Sequence, residues 1–302
     1  MSPPDQRDPS EARETSFRPA IDSHTHLFPG RLADAIQRSL RAEAGWEFST
    51  PTGRTGIEAV LRSAGVAAYV ALPYAHEAGI ASDLNEWLVE QADASSSLVP
   101  FATVHPDDED VAGVVREAFE EGARGLKFHC PVQECRPADS RLAPALDVAA
   151  AYDRPITYHG GTAPMFEDSP YVGADVFAEL VGSYPELRIC CAHMGTYEVE
   201  AFLDLARDNE HVYLDTTVAM SASAEETVGF DPSTIADETL VELSESIMYG
   251  SDFPNIPYPY REERAGLLAR DLPRKTARDV FYRTAIDYLG LEEGPALETE
   301  SE

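Results

Sequence analysis

Eight short apolar runs rich in β-branched residues are spaced along this chain, and amphipathic stretches of helical period separate them. They fall at 20–22, 67–72, 99–104, 125–128, 156–158, 188–192, 212–215 and 247–249. Apolar strands alternating with helices imply a parallel sheet buried on both faces, because a parallel connection needs a crossover long enough to hold a helix. Segments such as IEAVLRSAG, ASDLNEWLVEQA, VAGVVREAFEEG, LAPALDVAAAY, ADVFAELVGSY and EVEAFLDLARD supply those helices, and several end at Gly or just before Pro. Eight such units predict an α/β fold of the (β/α)8 TIM-barrel type, closed by two C-terminal helices, REERAGLLARD and KTARDVFYRTAIDYLG. The competitor is an open doubly wound sheet. That fold usually places a Gly-rich phosphate loop after its first strand, where this chain has DSHTHLFPG. Residues 1–17 and 291–302 are polar and aperiodic and read as tails around a single domain at 18–290.

The histidines are distributed unevenly against that frame. Of eight, His24, His26, His105, His129, His159 and His193 sit at or just past the end of an expected strand, His76 follows by a few residues, and only His211 precedes its strand. A lone histidine is more often a satisfied structural residue than a ligand. Six at the rim where TIM barrels place their chemistry are another matter. His24 and His26 are two apart on a strand, so their rings point to one side and can chelate one cation. His159 and Asp252 end the fifth and eighth strands, and two or three imidazoles with a carboxylate form the ligand set of a hydrolytic zinc-type site. Taken alone, Asp252 would equally suit a helix cap or an Asx turn before Pro254. His105 either caps the next helix or lines the site.

In order, PAIDSHTHLFP, GLKFHCP, YHGG, AHMG and YGSDFP resemble the amidohydrolase superfamily, specifically the branch containing aminocarboxymuconate-semialdehyde decarboxylase and related hydrolases. The likeness runs from Ala20 to about Leu291. It implies a distorted (β/α)8 barrel holding one or two divalent metals, most readily zinc, with manganese an alternative. By position it makes His24, His26, His159 and Asp252 metal ligands and His193 the catalytic imidazole. Thr284, where the family often has Asn, departs from the pattern in a closing helix, far from the chemistry. Members of the branch are often dimers, so a homodimer is the expected assembly.

Composition enters through charge. The chain carries 54 acidic against 23 basic residues, a net charge of −31, and only Lys127 and Lys275 are lysines. Such a field repels phosphate backbones and anionic lipid, so the expected partner is a small molecule, with neither nucleic acid nor membrane. The composition resembles that of salt-adapted halophile proteins, whose surfaces suit concentrated salt. Four cysteines without a CxxC pair, and no long apolar run, lead to the expectation of a reduced, cytoplasmic protein. The adjacent Cys190 and Cys191 should face opposite sides of a strand as small fillers.

Where lysine is this scarce, Lys127 at the fourth strand end calls for a reason. Three roles are open to it: a carboxylated bridge between two metals, as in binuclear superfamily members; a cation for a substrate carboxylate or carbonyl; or a structural ion pair. Lys275 has no motif around it. His129, Tyr74 and Arg136 are the candidate substrate contacts, since loops at this face shape the pocket.

The first functional expectation is hydrolysis of a small amide, ester or lactone by metal-activated water, with Asp252 carrying the proton and His193 orienting the scissile group. The alternative is a metal-dependent non-oxidative decarboxylase or hydratase acting on an unsaturated or aromatic carboxylate, with Lys127 counted in the catalytic set either way. Superfamily nucleases share the HxH opening but have a glutamate where Lys127 stands. A barrel that binds without turnover is the remaining class.

Overall fold

The computed structural model describes residues 18–162, 165–166 and 169–291; apart from Leu291, the expected tails lie outside them. All eight expected strands form: β1 (Ala20–Thr25), β2 (Val66–Ala71), β3 (Leu98–Pro100), β4 (Leu126–Phe128), β5 (Ile156–Tyr158), β6 (Ile189–Cys191), β7 (Val212–Asp215) and β8 (Ile247–Met248). Every pairing is parallel, in sequence order, as β1-β2-β3 and β4-β5-β6-β7-β8. At the two seams the ladder thins to isolated bridges, Ala102 with Leu126 and Thr25 with Phe253. Backbone hydrogen bonds from Lys127 to Ala102 and from Ser23 to Tyr249 also cross them. The strands thus follow one another in barrel order, with two thin joins. The third strand is shorter than its apolar run, because beyond Pro100 only single hydrogen bonds remain, such as those from Phe101 to Ala71 and from Ala102 to Gly125.

The helices are α1 (Gly30–Ala44), α2 (Arg54–Ser63), α3 (Ala81–Asp93), α4 (Val111–Glu121), α5 (Cys130–Gln133), α6 (Ala143–Ala151), α7 (Ala174–Ser183), α8 (Val199–Asp208), α9 (Ala224–Val228), α10 (Asp237–Glu242) and α11 (Arg261–Leu268). α12 (Arg274–Arg278) and α13 (Thr284–Leu289) follow, joined by a π-turn, and realise the second closing helix. α1 was not expected. Its apolar stripe, Leu32, Ala33, Ile36 and Leu40, is interleaved with polar side chains, and only Ala33 and Gln37 are buried on it.

Strand alternation divides the core in two. Val70, Cys190, Tyr213 and Met248 point inward and join Tyr288 and Leu289 of α13 in a plug. Their neighbours Ala71, Cys191, Leu214 and Ile247 point outward into the larger layer between strands and helices. The two cysteines therefore separate as expected, and all four in the chain are free and buried. Each large apolar side chain buried here contributes roughly 1.5–3 kcal/mol. Thr157 and Tyr288 share a hydrogen bond of 2.8 Å that ties α13 to β5. Leu126 and Phe128 face the outer layer, so Lys127 between them is forced inward, where it is fully buried. Among the described residues, no helix is long and apolar enough to cross a membrane.

Candidate active site

β1 delivers His24 and His26 to one end of the barrel, and the loop after β8 brings Asp252 against them. The ring nitrogens and the carboxylate of these three lie within 4.8 Å of one another. Asp252 Oδ1 is 2.8 Å from His26 Nε2 and 3.4 Å from His24 Nε2. Asp252 adopts a φ of 58° and His193 one of 60°, left-handed conformations that cost a residue other than glycine about 1–3 kcal/mol and cluster at functional sites.

Hydrogen bonds fix which nitrogen of each ring is free. His24 Nδ1 donates to Asp215 Oδ2 at 2.7 Å, and His26 Nδ1 donates to the Leu72 carbonyl at 2.7 Å. Thr217 donates its hydroxyl hydrogen to Asp215, so its oxygen accepts from His193 Nδ1 at 2.9 Å. His193 Nε2 then accepts from His159 Nδ1 at 3.2 Å. The result leaves the Nε2 lone pairs of His24, His26 and His159 unclaimed by any donor. Those of His24 and His159 are buried with no partner. A lone pair facing a carboxylate oxygen at 2.8 Å requires positive charge between them. Imidazoles anchored through Nδ1 with Nε2 free, beside a carboxylate, are what a divalent metal needs. The residues present fit such an ion.

Asp215 at the end of β7 organises this set, although the sequence reading passed over it. It is fully buried and also accepts from the His193 backbone N–H at 2.9 Å. Burial alone would raise its carboxyl; the charge and hydrogen bond of His24 outweigh that and hold it well below the usual carboxylate range. Its position after an apolar strand, in VYLDTT, was the available signal. Asp215→Asn is expected to weaken metal binding by about 10–100-fold, the usual cost of losing a partner that orients a ligand. Titration of the metal-free variant with Mn²⁺ or Zn²⁺ checks this. Asp22 was also missed. Burial pushes it up to about 7, while it accepts from Ser251 at 2.6 Å and Tyr260 at 2.9 Å, locking β1 to the loop after β8.

Asp252 is likewise held well below the usual range, because its contact with His26 and the field of the imidazoles outweigh burial. Burial, then the charge of Lys127, push His24 down to about 4. His129 and His159 are driven well below the ordinary histidine value, chiefly by burial, and His193 is lowered too. Lys127 is lowered to about 8 by burial, against the pull of Asp215 and Asp252, and its Nζ has no hydrogen-bond partner.

The loops after β5 and β6 meet so closely that a Cβ on Gly161 would fall 2.3 Å from the Gly195 backbone. YHGG and AHMG are thus the two halves of one contact that seats His159 beside His193. Above this floor opens a cavity of about 350 Å³, within the ~300–1,000 Å³ typical of small-molecule sites. His26, His159, His193 and Asp252 reach its wall, as do Tyr74 and His129. The His129 ring stacks on His159 at 4.2 Å, and Tyr74 lies 5.0 Å from His129. Helix α1 supplies Leu32, Ile36 and Leu40, so the unexpected helix forms one side of the cavity.

Some expected contacts are placed elsewhere. Arg136 is not brought to the cavity: it is largely exposed and pairs with Glu179 at 3.5 Å, because α5 turns its loop outward. His105 organises a turn, its backbone N–H donating to Asp108 and its Nδ1 accepting from Asp107. Lys275 pairs with Glu245 and Asp279 at 3.1 and 2.6 Å on the outside.

Solved structures of similar fold include an uncharacterised TIM-barrel protein from Bordetella bronchiseptica, at TM-score 0.70 and 16% identity over 90% of this chain and 98% of that one. The 5-carboxyvanillate decarboxylase of Novosphingobium aromaticivorans, solved with manganese and 4-hydroxy-3-methoxy-5-nitrobenzoic acid, aligns at TM-score 0.63 and 16% identity over 91% and 97%. A 2,6-dihydroxybenzoate decarboxylase with its namesake bound aligns at TM-score 0.64 and 13% identity over 91% and 100%. No curated protein matches the chain in sequence. The amidohydrolase family profile covers residues 21–291, from the first strand past the last helix, and by that match the chain belongs to the amidohydrolase family.

Proposed function

We propose that this protein is a metal-dependent decarboxylase of an aromatic or unsaturated carboxylate. The observation that carries the reading is Lys127, an ammonium buried without a partner and within the field of His24, His159 and Asp215. Asp215 and Asp252 already act on this ammonium through space, and a substrate carboxylate at the cavity floor above it would be drawn by the same charge, whereas a neutral ester or amide would not. The fold likeness to decarboxylases of aromatic acids supports the same reading. Hydrolysis, the first expectation from the ligand set, uses the same residues and is the outcome the assay must separate.

His24, His26 and Asp252, with His159 beside them, would hold the ion. A divalent ion there supplies a Lewis acid and a fixed point for substrate oxygen atoms, and Mn²⁺ and Zn²⁺ both suit these ligands. Lys127 attracts the carboxylate from beneath. The rings of Tyr74, His129 and Phe166 hold the substrate plane and exclude water. When the bond to the carboxylate carbon breaks, its electron pair stays on the ring carbon, carbon dioxide leaves, and the carbon takes a proton. Asp252 through a carboxylate oxygen, and His193 through Nε2 once that atom is released from the His159 Nδ1 hydrogen, are the groups at the cavity wall that would carry that proton. The depressed proton affinity of His193 makes its imidazolium a stronger acid than free imidazolium.

The test is a product-resolved screen in molar salt of metal-loaded protein with aromatic acids, esters, lactones and amides. Carbon dioxide from an acid, lost on chelation and restored by Mn²⁺ or Zn²⁺, is the expected result. New carboxylate from an ester, lactone or amide, with no carbon dioxide from any acid, overturns the reading. The charge of −31 adds a second expectation. Lowering salt from about 1 M to about 0.01 M lengthens the Debye screening distance from roughly 3 to 30 Å. Self-repulsion should then lower the thermal midpoint, as a melting series in KCl would show.

A further inference from the structure

The cavity that opens on the candidate metal cluster has a one-sided charge pattern. Among the described residues, no lysine or arginine lines it. Its fixed charges are the carboxylates of Asp252 at the floor and Glu43 at the rim, where Ser39 donates to Glu43 at 2.6 Å. Between them the wall is mostly apolar and aromatic, with Ile36, Leu40, Trp46, Phe166 and Val228, and Ser39, His76, Thr196 and Asn255 are uncharged polar positions on it. Lys127 lies fully buried below the floor and is not part of the wall.

Burying a carboxylate without a cation or several donors is costly, whereas burying an uncharged ring is favourable. One carboxylate would be satisfied at the floor by a divalent ion held by His24, His26 and Asp252, with the field of Lys127 beneath it. A second one, further along the ring, would meet a mostly apolar wall with no lysine or arginine to pair with it, and then the like charge of Glu43. We infer that the substrate is a monocarboxylate whose remaining surface is uncharged and largely apolar, and that the wall and Glu43 select against diacids of the same shape. This rests on the decarboxylase reading for the identity of the first anion.

The test compares three probes on one ring: a hydroxybenzoate with an apolar substituent, the benzenedicarboxylate with a second carboxylate at that position, and the monomethyl ester of that diacid. The ester keeps the bulk and removes the charge. Binding to metal-loaded protein is followed at pH 8 by tryptophan quenching in a Trp87→Phe background, which leaves Trp46 in the cavity wall as the reporter, and carbon dioxide release is scored separately. The monoacid and the half-ester are expected to bind at least about tenfold more tightly than the diacid. In Glu43→Arg, an exposed change that leaves the core intact, the diacid should gain about tenfold while the monoacid changes little. Equal or tighter binding of the diacid by the unaltered protein overturns the inference, as does an unchanged preference in Glu43→Arg. Selective binding of the monoacid without carbon dioxide release would defeat the decarboxylase reading while supporting the charge selection. Equal turnover of monoacid and diacid would do the reverse.

Discussion

Asp252→Asn is expected to leave the barrel folded and to remove both bound metal and turnover. Asparagine is the same size and is among the few residues at ease with the φ of 58° at this position. Its amide can also donate to the free Nε2 of His26, where the carboxylate oxygen now lies 2.8 Å away. The metal-free variant should therefore be at least as stable as the parent. What it loses is the anionic ligand and a proton carrier. Activity should fall by more than the roughly 10–100-fold typical of losing a ligand's outer partner. Elemental analysis after purification and a carbon dioxide assay check the two consequences separately. A variant that kept stoichiometric metal and full turnover would show that Asp252 is a structural turn residue, the other role its sequence context allowed.

Lys127→Met should separate stability from activity in opposite directions. The ammonium is fully buried with no hydrogen-bond partner, and burial brings it from the usual 10.5 to about 8. At about 1.4 kcal/mol per unit, keeping it charged costs the fold on the order of 3 kcal/mol. Methionine fills a similar volume without that cost, so the variant should resist denaturant better. The pH dependence has a definite sign. Below about 8 the lysine is charged in both folded and unfolded chains and its penalty is complete. Between about 8 and 10.5 the folded chain has released a proton that the unfolded chain still holds, so the penalty shrinks as pH rises. The stability advantage of Lys127→Met should thus be largest at and below neutral pH and fade toward 10.5. Turnover should move the other way, by roughly 10²–10³-fold, the scale of losing one preorganised charge at a reacting group. Paired urea titrations across that pH range and steady-state rates test both. A variant that is both less stable and equally active would return Lys127 to a structural role.

Legibility followed periodicity. A β-branched run flanked by turn residues shows itself locally, so all eight strands could be placed from the chain alone, and the inward direction of Lys127 follows from its neighbours Leu126 and Phe128. α1 was overlooked because its large apolar residues are few, one per turn at Leu32, Ile36 and Leu40 among arginines and small residues, although they do recur at helical spacing. That omission hid one wall of the cavity, and with it the charge pattern that bears on substrate choice. Asp215 escaped for a different reason. A single aspartate ending a strand has no spacing signature, and its meaning comes from His24 and His193, 191 and 22 residues away in sequence. Arg136 erred in the opposite sense, being near the site in sequence and turned away by its loop.

The number of βα units, the shared side of His24 and His26 and the residues ending each strand follow from local period and alternation, and so could be read along the chain. Only the tertiary structure decided which ring nitrogens are free, which buried charge lacks a partner, and that the cavity wall carries no cation. Those properties are set by groups that meet across the barrel: a hydrogen bond to Nδ1 from one strand leaves Nε2 available to another. Chain proximity pairs His24 with His26 alone, while Asp252 and His159 join them, and acquire their protonation and charge, through contacts between distant segments.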